Sequence, residues 1–253
     1  MPLPGSLTPV QRPPKLPIVL CHGLLGFDKI GVKGFVLGRY FNGIQDDLVS
    51  QGCRVVTTEV APSSSISVRA AELREQVSKI GGKVHLLAHS MGGLDVRYMI
   101  SSLGGHEFVA SLTTISTPHR GSPMADWGLE NLEVVGELLQ LFGMGTDAFE
   151  NLSQKYCKEE FNPANPDHPD VKYFSYGGAK DFVWTFPPLM FSHNHITKEE
   201  GPNDGLVSVR SAKWGIYRET LNADHIDLIN WGPRYDAKGL YRDAVEGLEG
   251  LED

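Results

Sequence analysis

The chain has 253 residues, of which 41% are hydrophobic, enough to form one large domain around a buried core. Its 31 acidic and 23 basic side chains leave a formal net charge of −8, which excludes a broadly basic surface for nucleic acid. No apolar run in the sequence approaches the roughly 18 residues that a membrane-spanning helix requires. We therefore expect an α/β domain with neither a nucleic-acid partner nor a transmembrane segment.

The amino terminus and the cysteines suggest where the protein works. Residues 1–16 are rich in proline and lack an apolar segment of the length that a secretory signal needs, which predicts an extended arm. Cys21, Cys53 and Cys157 are an odd number for a disulfide framework and have no zinc-binding spacing. This favours an intracellular location, in the cytosol, in an organelle or on a lipid droplet. Secretion with one disulfide is the alternative, and the oligomeric state is left open.

Apolar strands and amphipathic helices alternate in the first half of the chain. We predict strands at 17–21, 53–60, 83–89 and 108–116, and helices at 34–50, 67–80 and 91–103. Such alternation implies right-handed βαβ units and a mostly parallel, doubly wound sheet with helices on both faces. The predicted fold class is therefore α/β.

The pattern changes in the second half, where we place a cap or lid insertion at about 121–170. Beyond the first half we predict an apolar helix at 129–142, a polar loop at 162–170, a strand at 171–176 and a closing helix at 235–251. The chain is thus divided into the arm, residues 1–16, and one domain, residues 17–253, which carries the insertion.

Ser90 stands between an apolar strand and a helix, with the small residues Ala88 and Gly92 two positions away on either side. This pattern is typical of a nucleophile elbow, where a sharp turn strains the serine backbone and leaves no room for bulky neighbours. Ala88 replaces the usual glycine and still meets the steric demand. Ser90 is therefore the predicted nucleophile, and a helix N-cap serine is the alternative.

A serine hydroxyl needs a base that takes its proton and a carboxylate that orients the base. In this fold the acid and the histidine follow the serine along the chain. The candidates are His119, His168, His193, His195 and His225, with Asp181, Asp204, Asp224 and Asp227. Their positions on late loops favour Asp204 and His225, but these residues alone leave the choice open.

Acyl transfer also needs two backbone amides directed at the developing oxyanion. One is expected from Met91, directly after the nucleophile, and the other from Leu24 in the loop that follows the first strand. The alternative for the His22-Gly23 pair is a plain strand-ending turn.

Several sequence blocks occur in the order found in one known family. They are CHGLLGFD (21–28), YFNGIQDD (40–47), AHSMGG (88–93), TTISTPHRGS (113–122), NDG (203–205) and HID (225–227). In these blocks the chain resembles the Pseudomonas-type bacterial true lipases, and around 200–215 and 224–231 it is more similar still to fungal intracellular triacylglycerol lipases. The resemblance implies an α/β-hydrolase fold with Ser90 as nucleophile, Asp204 as acid and His225 as base, and with Leu24 and Met91 as oxyanion donors.

The resemblance further implies an enzyme that hydrolyses fatty-acid esters, above all triacylglycerols at an oil–water interface, through an acyl-enzyme and without an organic cofactor. The first alternative is an esterase, a thioesterase or a phospholipid acyl hydrolase with the same triad. The second is a lipid carrier of the same fold that binds without cleaving.

The predicted helix at 129–142 has the broad apolar arc that a lid needs to cover an acyl site in water. A helix packed permanently on the core is the alternative. A second apolar cluster at 184–191 would line the acyl groove or pack against the lid. The residues expected to contact the acyl chain are Leu25, Leu138, Leu139, Phe142, Phe186 and Leu206.

The bacterial family also implies a structural calcium ion, held by an aspartate two residues after the histidine and a second one upstream of the acid. Asp227 matches the first position. Asp181 is the one aspartate near the second position, and its surroundings differ. We therefore predict that no metal is required and that Asp227 accepts hydrogen bonds that hold the histidine loop; calcium bound by Asp227 is the alternative.

Overall fold

The computed structural model describes residues 9–24, 30–32, 35–133, 146–181, 187–232 and 235–252. Its strands are β1 (Ile18–Cys21), β2 (Ile30–Val32), β3 (Phe35–Gly38), β4 (Val55–Thr57), β5 (Val84–His89), β6 (Val109–Ile115), β7 (Lys172–Gly178) and β8 (Ile216–Leu221). Six strands form one sheet in the order β4-β1-β5-β6-β7-β8, and every neighbouring pair is parallel. Strands β2 and β3 form a separate antiparallel pair.

The helices surround this sheet. They are α1 (Ile44–Ser50), α2 (Ile66–Ser78), α3 (Gly92–Ser102), α4 (Pro123–Glu130), α5 (Thr146–Glu150), α6 (Asn162–Ala164), α7 (Pro187–Glu200), α8 (Val209–Ala212) and α9 (Ala237–Val245). Short 3-10 helices lie at Gly105–Glu107, Asp227–Ile229 and Leu248–Leu251, and a π-helix lies at Tyr156–Phe161. In the described ranges, no helix combines the length and apolar character needed to cross a bilayer.

The sheet is covered on both faces, because every residue of β1, β5 and β6 is buried. On one face the strands pack against α1 and α9 through a cluster that includes Leu48 and Tyr241. On the other face they pack against α2 and α3 through a cluster that includes Leu73 and Val96. Burial on both faces is typical of parallel sheets and explains the continuous apolar runs of these strands. The predicted α/β fold is confirmed.

The register of the central strands brings three loops together. Cys21 at the end of β1 pairs with Ala88 of β5, and His89 at the end of β5 pairs with Ile115 of β6. Because these neighbours are parallel, the loops after β1, β5 and β6 leave the sheet at the same edge. This is the edge at which open α/β sheets carry their sites.

One predicted element is wrong in half of its length. The helix predicted at 34–50 begins only at Ile44, because Phe35–Gly38 forms β3 and pairs with β2. Gly43 directly before the helix has a φ of 67°. This left-handed conformation ends any helix that approaches it from the amino-terminal side. The apolar spacing of Phe35 and Leu37 therefore reflected a strand.

The insertion differs from its prediction in part. Helix α4 begins at Pro123, earlier than the predicted helix, and is capped by Ser122, whose hydroxyl accepts a hydrogen bond from the Met124 amide at 3.2 Å. The predicted polar loop at 162–170 begins with the short helix α6. Most of the predicted helix 129–142 lies outside the described residues. The bounds of the insertion and its role as a lid stay predictions.

Candidate active site

Ser90 follows β5 directly and adopts a φ of 57°, a left-handed conformation that is costly for a residue with a side chain. Its amide donates to the carbonyl oxygen of Ile115 at 3.0 Å, and the Thr117 hydroxyl donates to its carbonyl oxygen at 2.7 Å. A Cβ on Gly92 would lie 2.7 Å from the His22 carbonyl oxygen. The turn is thus held from both sides and requires the small residue that the elbow pattern predicted.

The loop after β1 packs directly on this turn. A Cβ on Gly23 would lie 2.6 Å from the Ser90 Cβ, so only glycine fits there without displacement. The predicted oxyanion donor Leu24 comes next in the chain, half-buried. Across the described part of the chain, the amides of Leu24 and Met91 donate no hydrogen bond to another protein group. Both amides are therefore available to a ligand.

A buried ion pair holds the same loop. Arg69 of α2 donates from Nε to Asp95 of α3 at 2.8 Å, and their side chains are 0% and 2% exposed. The same guanidinium donates to the carbonyl oxygens of His22 at 2.9 Å and Gly23 at 3.2 Å. Burial raises the pKa of Asp95 to about 6, against the opposing effect of the Arg69 charge. The two helices thus fix the backbone that precedes Leu24.

Asp204 and His225 form a buried hydrogen-bonded pair. His225 Nδ1 donates to Asp204 Oδ2 at 2.6 Å, and the His225 amide donates to the Asp204 carbonyl oxygen at 2.9 Å. The other carboxylate oxygen accepts from the amides of Leu206 at 2.9 Å and Val207 at 2.7 Å. Both oxygens of the Asp204 carboxylate thus accept N–H donors, and Nε2 is the ring nitrogen of His225 that does not bond to Asp204.

His225 lies beside the turn that carries the nucleophile. Its ring centroid is 4.4 Å from that of His89, the residue before Ser90. His89 Nδ1 shares a hydrogen bond of 2.7 Å with the Tyr40 hydroxyl. Burial, and next the charge of a protonated His225, lower the pKa of His89 well below its ordinary value, so His89 is neutral. Among the described contacts the Ser90 hydroxyl has no hydrogen bond, and its pairing with His225 is a proposal taken up below.

The other candidate residues lie in different surroundings. His119 is buried beside Thr114 and Arg97, and His168 stacks on His106. His193 is bonded to the Lys180 carbonyl oxygen, and the His195 ring lies near that of Trp127. Asp181 is exposed. Among the candidates in the described ranges, the aspartate and the histidine that bond to each other are Asp204 and His225.

Most of the predicted acyl contacts fall where no structure is described. Leu25, Leu138, Leu139, Phe142 and Phe186 lie outside the described residues. Leu206 is half-buried, and its carbonyl oxygen accepts from the Ser122 hydroxyl at 2.7 Å. Of the second apolar cluster, Phe191 is exposed and packs edge-on against Trp127 with ring centroids 4.9 Å apart. The acyl-binding residues stay a prediction.

The surroundings of Asp227 do not fit a calcium ion. The Lys180 ammonium group is bonded to Asp227 and lies 3.4 Å from Asp224. The second oxygen of Asp227 lies against Gly232, where a Cβ would be 1.6 Å from it. Within the described ranges, no cluster of three or more His, Cys, Asp or Glu residues has the arrangement of a metal site.

Sequence reasoning did not find Arg69, Lys180 or the pairing of Tyr40 with His89. Each joins segments that are far apart in the chain, so no local pattern marks it. An arginine about three turns before the Gly81-Gly82 stop was the one available signal, because a charge on the inner face of a predicted helix requires a partner.

A strained serine after a central parallel strand, beside a buried Asp–His pair on late loops, is an arrangement typical of the α/β-hydrolase class. No family model matches the chain. It is 38% identical to Triacylglycerol lipase 2 of Saccharomyces cerevisiae, over 87% of this chain and 82% of that protein. It is 33% identical to a triacylglycerol lipase of Pseudomonas fragi, over 85% of this chain and 88% of the relative.

A solved structure supports the same assignment. The mature form of a Bacillus licheniformis lipase superimposes with a TM-score of 0.74 at 25% identity, over 96% of each chain. The chain belongs to the triacylglycerol lipase family and is an enzyme of the hydrolase class. The predicted resemblance to bacterial and fungal lipases is confirmed, as is the α/β-hydrolase fold.

Proposed function

We propose that this enzyme hydrolyses triacylglycerols at an oil–water interface and releases fatty acids through an acyl-enzyme. The names of its relatives support the substrate class, since those from Saccharomyces cerevisiae and Pseudomonas fragi are both called triacylglycerol lipases. The observation that carries the chemistry is the 2.6 Å hydrogen bond between His225 and Asp204, beside the strained turn at Ser90.

The proposed reaction begins when Ser90 Oγ attacks the ester carbonyl carbon and His225 Nε2 takes the hydroxyl proton. Asp204 orients the imidazole and stabilises its charged form. The amides of Leu24 and Met91 bind the tetrahedral oxyanion. His225 then protonates the leaving glycerol oxygen, which completes the acyl-enzyme.

Deacylation uses the same residues. Water attacks the acyl-enzyme carbonyl while His225 accepts its proton, and the return of that proton to Ser90 releases the fatty acid. The steps proposed here use side chains, backbone amides and water, so we propose that the reaction requires no organic cofactor.

The test is hydrolysis of p-nitrophenyl butyrate, p-nitrophenyl palmitate and emulsified triolein by the native protein and by Ser90→Ala. We expect the native protein to cleave all three and Ser90→Ala to lose about 10⁶-fold in kcat, the scale found when a serine nucleophile is removed. Ser50→Ala is the matched control, because Ser50 is an exposed serine at the end of α1.

Each other outcome would redirect the proposal. Ser90-dependent activity on the butyrate ester alone would indicate an esterase and overturn the triacylglycerol assignment. Absence of Ser90-dependent turnover, together with failure of an active-site phosphonate to label Ser90, would leave a lipid carrier of the same fold.

We also infer an intracellular location. The support is chemical: Cys21, Cys53 and Cys157 are all buried free thiols, the state that a reducing compartment maintains. Fractionation of cells that express the tagged chain from its own promoter would test this, and recovery from the culture medium would contradict it.

A further inference from the structure

Three charged side chains meet at the loop that carries His225. Asp224 and Asp227 stand on either side of the histidine in sequence, and their side chains are 0% and 1% exposed. The Lys180 ammonium group is bonded to Asp227 and lies 3.4 Å from Asp224. Two buried carboxylates repel each other, and a cation between them offsets that repulsion.

The two carboxylates shape the loop itself. Asp224 Oδ1 accepts from the amides of Ile226 at 3.1 Å and Asp227 at 2.8 Å. Asp227 Oδ2 in turn accepts from the Asp224 amide at 3.1 Å. The turn 224–227 is thus closed by its own aspartates, with His225 inside it. Any separation of the two carboxylates would open this turn and move the imidazole.

Lys180 also touches the turn that carries the acid. Its amide donates to the Asn203 carbonyl oxygen at 3.1 Å, directly before Asp204, and its carbonyl oxygen accepts from His193 Nε2 at 2.6 Å. The backbone of Lys180 is therefore fixed to the acid turn, while its side chain is fixed to the histidine loop. One residue connects the two loops that form the Asp204–His225 pair.

The lysine carries its charge in this setting. Burial lowers the pKa of Lys180, but the hydrogen bond to Asp227 and the charges of Asp224 and Asp227 outweigh that effect and raise the pKa overall. At neutral pH the group is an ammonium ion with three N–H donors. It supplies a positive charge to Asp227, the residue that matches one calcium ligand implied by the bacterial family.

We propose that Lys180 is a positioning residue for the catalytic histidine, and that its ammonium group does the structural work for which a bound cation would otherwise be needed. The proposal rests on the proposed function, because that function makes His225 the base. Lys180 acts through Asp224 and Asp227 and touches neither substrate nor reacting atoms.

The test compares Lys180→Met, Lys180→Arg and the double variant Lys180→Met/Asp227→Asn with the native protein. Lys79→Met is the matched control, since Lys79 pairs with Glu75 on the exposed surface. Four quantities are measured: kcat and KM on soluble p-nitrophenyl butyrate, the unfolding temperature, and the far-downfield proton NMR resonance of His225 Nδ1–H.

We expect Lys180→Met to lower kcat by about 10- to 100-fold with KM unchanged, the scale of a base misplaced by about 1 Å. Its Nδ1–H resonance should shift or broaden, and Lys180→Arg should recover most of both losses. The double variant removes the Asp227 charge together with the Lys180 charge, so the two carboxylates no longer repel each other; it should fold stably and still show the lowered kcat. An unchanged kcat and an unmoved resonance in the folded Lys180→Met or double variant would overturn the proposal.

Chelation tests whether a bound metal ion, and not the Lys180 ammonium group, holds the histidine loop. Dialysis of the native protein against EDTA should leave its kcat and unfolding temperature unchanged, and added calcium should raise neither. Loss with EDTA and recovery with calcium would overturn the proposal. A native protein without Ser90-dependent turnover would instead refute the proposed function, while the NMR resonance and the unfolding temperature would still decide the role of Lys180.

Discussion

Gly23 lies where the loop after β1 meets the nucleophile. A Cβ at this position would be 2.6 Å from the Ser90 Cβ and 3.1 Å from the His89 carbonyl oxygen. The loop is not free to retreat, because Arg69 donates to the Gly23 carbonyl oxygen at 3.2 Å. A methyl group must therefore displace either Ser90 or the loop after β1.

We expect Gly23→Ala to lower kcat on p-nitrophenyl butyrate on the order of 100-fold, because the Leu24 amide would no longer be directed at the oxyanion. Gly250→Ala is the matched control, since a Cβ at Gly250 meets no atom within 4 Å. The kcat values of the two variants are compared by steady-state kinetics. Equal kcat values would contradict the assignment of this loop to the oxyanion site.

The sequence predicts the site residues unequally. Ser90 could be singled out as the candidate nucleophile from its strand, turn and helix, because the strained turn imposes small neighbours that are visible in the sequence. The choice of Asp204 and His225 as the proposed acid and base needed the family resemblance, since several histidines and aspartates follow Ser90 and nothing local distinguishes them. Lys180 was out of reach, because its partners lie on the histidine loop and the acid turn, both distant in the chain.

At the scale of elements, the contact between α2 and α3 includes one buried ion pair. Arg69 and Asp95 are almost wholly excluded from water. Removing one partner of such a pair leaves the other as an uncompensated buried charge, which costs far more than the pair itself contributes. The same arginine also satisfies carbonyl oxygens of His22, Gly23 and Ala61.

We expect Arg69→Met to lower the free energy of unfolding by about 3–5 kcal/mol. The control is Lys79→Met, which breaks the exposed pair with Glu75 and should leave the free energy of unfolding almost unchanged. Urea denaturation followed by tryptophan fluorescence measures both changes. A cost for Arg69→Met no larger than that of the control would show that water reaches this pair.

The elements themselves were predictable in proportion to their burial. Strands β1, β5 and β6 have every residue buried, so their sequences are continuous apolar runs. Strand β8 was missed because it is an edge strand in which only Leu221 is buried, and its polar residues resemble a loop. Helix α7 was missed as well, since its sequence has no clear apolar face. Hydrophobic patterns in the sequence therefore predict the elements that bury a face, and they miss exposed ones.

At the scale of the whole molecule, the response to acid depends on buried histidines such as His89 and His119. His89 and His119 are 0% exposed, and burial, followed by nearby positive groups, lowers the pKa of each well below its ordinary value. In the unfolded chain both titrate near their ordinary value of about 6.5. Below that pH the unfolded state binds more protons than the folded state, so acid favours unfolding.

We therefore expect the free energy of unfolding to fall as the pH drops below about 6.5, with each of these histidines contributing about 1.4 kcal/mol per pH unit. Replacing His119→Gln should remove its share and flatten the slope between about pH 6 and pH 5. Urea titrations at several pH values measure this slope. An equal slope in both proteins would mean that His119 is protonated in the folded state.

The three cysteines have a practical consequence for anyone who labels this protein. Burial raises the pKa of Cys21 and Cys157 to about 12, and Cys53 is buried as well. Thiols that keep their protons and lie away from solvent react slowly with maleimides. The native cysteines therefore need not be removed before a labelling experiment. A single cysteine introduced on an exposed helix would carry a fluorophore or a spin label at one chosen position, with every native thiol left in place.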